Sequence, residues 1–220
     1  GWTHRAFRPA RTREELSASA TAIGEWARMT YGWMGRTPDY KASLTNTLGA
    51  CPEWYGEFAG NARRWHRVAQ ETTPFMCHAI VNPPVDRHLP VEEVGDVFVR
   101  EVRETSAGLV VRGAKVVATS AALAQHVFIG QTGATASDDP AMALAFIVPA
   151  DAPGLKMICR ASYEEAASRG ASPFDAPLSS RFDENDAVMV LDDVLVPWEN
   201  VLIRRDPARV RSFFTGTGFL

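Results

Sequence analysis

Apolar residues recur at intervals of three and four through the first third of the chain. In "TREELSASATAIGEWARMTYG", Leu16, Ala20, Ile23, Ala27 and Thr30 keep that spacing. Thr12 and Glu15 stand at the separation of a capping box, so an amphipathic helix is predicted here with that stripe as its face. Thr37 is placed to cap a second helix, with Pro38 at its first position and Gly49 just past its end. A third helix is predicted over "PEWYGEFAGNARRWHRVAQ", with Trp54, Phe58, Ala62, Trp65 and Val68 on one side and Pro74 closing it.

Beyond Pro74 the period changes. "FMCHAIVN", "DVFVREVRE", "GLVVRGAKVVATS", "QHVFIG", "MALAFIVP" and "LKMICRA" are short β-rich runs separated by Gly, Pro, Asp and Ser clusters. The stretch 162–180, "SYEEAASRGASPFDAPLSS", is polar and predicts a surface loop. "DAVMVLDDVLVPWENVLI" returns to strand character, and "DPARVRSFF" opens another helix with Asp206 and Pro207 at its start. Helices followed by a block of strands predict an α+β fold. Its parts are a helical domain over 1–74, a β-barrel or sandwich over 75–203, and the start of a second helical domain over 204–220. The lack of an initiator methionine and a stop just inside a new helix suggest a piece of a longer protein.

Composition narrows the function classes. The chain has 220 residues, 46% of them hydrophobic and 22% charged, as in ordinary soluble domains. A formal charge of −3 offers no basic face for nucleic acid. The apolar run "AMALAFIVPA" is too short for a bilayer, so no membrane association is expected. Cys51, Cys77 and Cys159 are scattered and form no metal-type cluster, which predicts neither disulfides nor a metal site and fits a reducing cytoplasm. No GxGxxG or Walker loop occurs.

A few polar residues stand out against this background. In "MGRTPDYKAS", Arg36 and Tyr40 flank a helix mouth that suits an anionic group. The spacing alone favours a surface Arg36–Asp39 pair with Tyr40 in the core. His78 interrupts the apolar strand "FMCHAIVN", as a satisfied core group or as an imidazole able to exchange protons near neutral pH. In "NPPVDR" the two prolines stiffen the chain, leaving the amides of Val85 and Asp86 and the Arg87 guanidinium to meet a ligand or to form a rigid turn. Thr119 and Ser120 end a strand, as donors to a planar cofactor or as caps of the next turn. Gln131 and Thr132 in "GQTG" fit either a turn or a lid. The remaining histidines, His4, His66, His88 and His126, read as surface or helix-face residues.

The segments "VRGAKVVATSAALAQHVFIG" and "VMVLDDVLVPWENVLI" resemble the middle β-domain of the acyl-CoA dehydrogenase fold. "GRTPDY" and "CHAIVNPPVDR" are similar to the oxygenase component of two-component flavin-dependent phenol hydroxylases, the 4-hydroxyphenylacetate 3-monooxygenase family. The resemblance runs along nearly the whole chain and implies a site where the helical and β parts meet. In it Arg36, Tyr40 and His78 would hold the phenol oxygen and act in catalysis. His78, Pro84, Val85, Asp86, Arg87 and Thr119 would contact the flavin, and Gln131 and Thr132 would close over the substrate. No metal is implied.

The same resemblance implies the reaction. A separate flavin reductase would supply reduced FAD (FADH2), O2 would add to it as a C4a-hydroperoxyflavin, and a phenol would be hydroxylated ortho to its hydroxyl. The phenol would be 4-hydroxyphenylacetate, a chlorophenol or a tyrosine-like group, free or tethered to a carrier protein in natural-product biosynthesis. A homo-oligomer, a tetramer, is implied, together with a C-terminal helical bundle that this chain lacks. Two alternatives stand beside this reading. One is an acyl-CoA dehydrogenase or dehydratase-type flavoenzyme, of which the iron–sulfur dehydratase would need a cysteine pair that the helical region does not offer. The other is a β-domain that binds a ligand without catalysis.

Overall fold

The computed structural model describes residues 3–31, 39–86, 88–131, 137–170, 172, 174, 175, 177, 178, 180–182 and 185–218, without the side chains of 39, 40 and 92. Thr12 accepts from the Glu15 amide and starts helix α1 (Arg13–Met29). The Glu15 carboxylate turns back one residue further than a capping box requires and accepts from the Arg11 amide at 2.8 Å. The packed face of α1 is not the expected one. Leu16 and Ile23 are 63% and 38% exposed, and the half-buried side carries Ala18, Ala22 and Trp26. Trp26 decides this, because its large indole stacks on His4 with ring centroids 3.7 Å apart and packs against a core of Ala6, Phe7, Ala42 and Ala69.

Helix α2 spans Asp39–Ala50, and its expected caps, Thr37 and Pro38, lie outside the described residues. Gly49 lies inside this helix rather than past its end. A Cβ there would sit 2.3 Å from the His66 ring, so the glycine admits the neighbouring helix instead of stopping its own. The single third helix expected from the sequence is two elements, a 3-10 stretch Pro52–Phe58 and α3 (Ala59–Thr72). Gly56, at φ +60°, breaks them apart.

The strands follow as β1 (Met76–Ala79), then, after the short helix α4 (Val91–Val94), β2 (Arg100–Thr105), β3 (Gly108–Lys115), β4 (His126–Ile129), β5 (Leu144–Pro149) and β6 (Leu155–Cys159). Within the expected 162–180 loop, Tyr163–Ser168 forms helix α5, capped by Ser162 accepting from the Glu165 amide. Strands β7 (Ala187–Pro197) and β8 (Val201–Arg204) lead into α6 (Pro207–Arg211), capped by Asp206, and α7 (Phe213–Gly216).

Among the described residues the strands form two sheets, β1-β4-β5-β8 and β2-β3-β7-β6. All pairs are antiparallel except β1 with β4. Side chains alternate across each strand. Cys77, Ala79, Val127, Ile129, Phe146 and Val148 from the first sheet meet Leu109, Val111, Met189, Leu191, Val194 and Val196 from the second in one sandwich core. The opposite residues of the first sheet, Met76, Phe128, Ala145 and Ile147, meet Leu44, Leu48, Tyr55 and Trp65 from the helices. The arrangement is thus helices, sheet, sheet, the α+β fold expected. Among the described residues, no helix is long and apolar enough to cross a membrane, and no cluster of metal-ligating side chains forms.

Candidate active site

The strand alternation of β1 places the site. Cys77 and Ala79 enter the sandwich core, so His78 between them faces the helices with Met76. Helix α2 presents Lys41, Leu44 and Leu48 one turn apart toward the same layer. Between these elements lies a cavity of about 160 Å³. Leu44, Ile80, Phe128, Phe213 and Phe214 give it apolar walls, and Lys41, His78 and Gln131 give it polar groups. Phe213 comes from α7 and stacks on Phe128 with ring centroids 5.6 Å apart.

Lys41 is only 4% exposed, and its Nζ contacts Nδ1 of His78. Gln131, 6% exposed, donates from Nε2 to the Met142 carbonyl, while its Oε1 is shielded and has no partner among the described residues. Cys77 precedes His78 in the strand and points the other way, into the sandwich core. Burial pushes its thiol up to about 12 despite the nearby Lys41 charge, so it stays a neutral thiol at physiological pH.

The structure brings some of the expected residues together and separates others. His78 and Gln131 line the cavity. Tyr40 lies on α2 beside Lys41, but its side chain, and all of Arg36, Arg87 and Thr132, fall outside what is described. Pro84, Val85, Asp86 and Thr119 are not among the described lining residues. Pro84 and Asp86 are exposed on the segment after β1, and the Asp86 carboxylate accepts from the His88 amide at 2.9 Å.

An isolated bridge pairs Val81 with Val116 and so sets that segment beside the exit of β3. Here Thr119 donates to Asp186 at 2.6 Å, and Ser120 makes no side-chain cap. Two non-glycine residues flank Thr119 in the left-handed region, Val117 at φ +54° and Ser120 at φ +62°. For a β-branched residue this conformation is uncommon and costs roughly 1–3 kcal/mol.

Sequence reading missed Lys41, Lys115 and the phenylalanines of α7. A helical signal for Lys41 was present, since it precedes Leu44, Thr45 and Leu48 on one face and all four are buried. Lys115 reaches from β3, fully buried, and donates from Nζ to Asn82 Oδ1 at 2.7 Å. Burial lowers its pKa to about 7. Histidines also depart from expectation. His126 is a half-buried strand residue, edge-on to Trp65, and burial lowers its pKa.

A family model described as 4-hydroxyphenylacetate 3-hydroxylase N terminal matches residues 1–203. The chain belongs to that family. Within the 4-hydroxyphenylacetate 3-hydroxylase family, it is 54% identical over 220 residues to the 4-hydroxyphenylacetate 3-monooxygenase oxygenase component of Pseudomonas aeruginosa, covering all of this chain and 42% of that protein. It is 53% identical, with the same coverage, to a (3S)-3-amino-3-(3-chloro-4-hydroxyphenyl)propanoyl-[peptidyl-carrier protein SgcC2] monooxygenase of Streptomyces globisporus. A crystal structure of the oxygenase component of 4-hydroxyphenylacetate 3-monooxygenase, complexed with FAD and 4-hydroxyphenylacetate, superposes with a TM-score of 0.85 at 37% identity. That match covers 98% of this chain and 44% of the other. The chain therefore spans about two fifths of the length of the curated relatives it matches.

Proposed function

We propose that this chain is the substrate-holding part of a flavin-dependent phenol hydroxylase, an oxygenase component working with a separate flavin reductase. The cavity carries this reading. An apolar cavity of about 150 Å³ is known to hold benzene, and the cavity here, about 160 Å³, has the room for one aromatic ring with three polar side chains among its walls. The aromatic walls would hold the ring and keep water from it, while His78 and Gln131 would orient its hydroxyl. Arg36 and Tyr40, by family resemblance, would complete that grip.

The cavity is too small for FAD as well as a ring, so the flavin would rest elsewhere. Val81 and Val117, 42% and 55% exposed, offer an apolar ledge beside Thr119. The shielded Asn185 Oδ1, without a partner among the described residues, is an acceptor near that ledge, since the Asn185 carbonyl takes the Ser120 amide. These features fit a flat group with N–H edges, and we assign Thr119 and the Pro84–Val85–Asp86–Arg87 segment to its binding. When bound in reduced form, FAD supplies the two electrons that, with O2, put one oxygen on the ring carbon ortho to the hydroxyl and release the other as water.

The substrate is a free or carrier-bound phenol. Full-length protein given reductase, FAD, O2 and 4-hydroxyphenylacetate is expected to form the ortho-dihydroxy product. His78→Ala is expected to lower coupled product about 100-fold, the scale of a lost positioned polar group, while FAD titration changes little. Equal loss of product and of flavin affinity would overturn the role of His78. Flavin that reoxidises without any product, across a panel of phenols, would overturn the reading as a whole.

A further inference from the structure

We propose that Lys115 is a positioning residue for the flavin, which fastens the segment at 84–87 to the exit of β3 by holding Asn82. This rests on the assignment of that segment and of Thr119 to the flavin made above. It goes further, to the side chain that sets the two in place.

The two stretches come from different sheets. The segment at 84–87 follows β1 of the first sheet, and Thr119 follows β3 of the second. A backbone bond joins them, from the Val116 amide to the Val81 carbonyl at 2.9 Å. The pairing cannot run on through Pro83 and Pro84, since a proline has no N–H to give. Among the described residues, no hydrogen bond reaches the backbone of 82–85.

A side chain fixes the head of the segment instead. Lys115 Nζ donates to Asn82 Oδ1 at 2.7 Å. Asn82 precedes Pro83, as Pro83 precedes Pro84, and a residue before proline is pushed toward extended backbone. The run is therefore stiff, and where Asn82 is held decides where Val85 and Asp86 lie.

Lysine is a costly residue for this place. It is fully buried, and Val99, Ile129, Leu144 and Phe146 line the crevice around it. Gln131 lines the same crevice but spends its Nε2 on the Met142 carbonyl, and among the described residues it makes no hydrogen bond to Lys115. A leucine or methionine would fill the space without desolvating an amine. Asn82 is the partner that the buried amine serves.

The test uses full-length protein, with FAD binding followed by flavin fluorescence. Lys115→Met is expected to weaken FAD binding about tenfold, the scale of one hydrogen bond, and Asn82→Ala to weaken it alike. The double variant is expected to be no worse than either single one, because both remove the same tie. Asn82→Asp keeps the acceptor and is expected to restore FAD binding. At saturating FAD, the affinity for 4-hydroxyphenylacetate is expected to stay unchanged throughout. A folded Lys115→Met protein with wild-type FAD affinity, or losses that multiply in the double variant, overturns the proposal. So does a parallel fall in phenol affinity, the mark of general loosening. Should Lys115→Met fail to fold by circular dichroism, Asn82→Ala, at a half-buried residue, decides by the same readings. Arg87→Ala separates this failure from that of the reading beneath it, since wild-type FAD affinity there overturns the flavin assignment itself.

Discussion

Single residues carry most of the chemistry. Lys115 sits at full burial between the sheets, where its charged form is poorly solvated. Its folded pKa lies near 7 against an ordinary value of 10.5. Between those two values the unfolded chain holds the proton and the folded one does not, so stability rises with pH across that window. Lys115→Met removes this dependence. The wild type is expected to gain about 1.4 kcal/mol per pH unit on the variant within the window, read as the change in urea midpoint. A constant difference between the two proteins would mean that Lys115 is charged when folded. The substituted Met also leaves Asn82 Oδ1 without its donor, a cost that does not vary with pH.

Elements were legible where their pattern had one meaning. Each β-rich run forms a strand because alternation and turn residues agree over the same few positions. The helices were harder. The stripe read in α1 contains Leu16 and Ile23, but one tryptophan on the neighbouring face outweighs both. Gly49 has the sequence context of a helix stop and serves instead as a notch for His66. Gly49→Ala is expected to push α3 away from α2 and cost about 1–3 kcal/mol, with a lowered Tm and little change in helical circular dichroism. A Tm equal to or above that of wild type would show that the His66 ring swings aside freely. In the site, His78 was visible as a lone polar residue in an apolar strand. Lys41 was not, because a lysine beside a helix start reads as solvated until its burial is seen. Phe213 and Phe214 reach the cavity only through the fold, from far along the chain.

Across the molecule, the layers are fastened at one point by charge. Glu101 on β2, in the second sheet, accepts paired bonds from Arg204 at 2.7 and 3.0 Å and from Arg205 at 3.0 and 3.1 Å, where β8 leaves the first sheet. The Arg204 hydrogen bonds, then those of Arg205, hold its carboxyl below the usual range despite burial. Its contribution is present above the ordinary value of 4.5 and fades as pH falls below it. Glu101→Gln is expected to cost about 3 kcal/mol at neutral pH and to flatten the acid limb of the stability curve. An unchanged denaturation midpoint would remove this fastening from the account. The same two arginines mark where the chain leaves the sandwich, and past them α7 supplies two of the phenylalanines that wall the cavity. The family match ends at residue 203. A fragment trimmed to that boundary would lose Arg204, Arg205 and α7 together, so cutting the chain there would undo the charged fastening and strip one wall from the cavity in a single stroke.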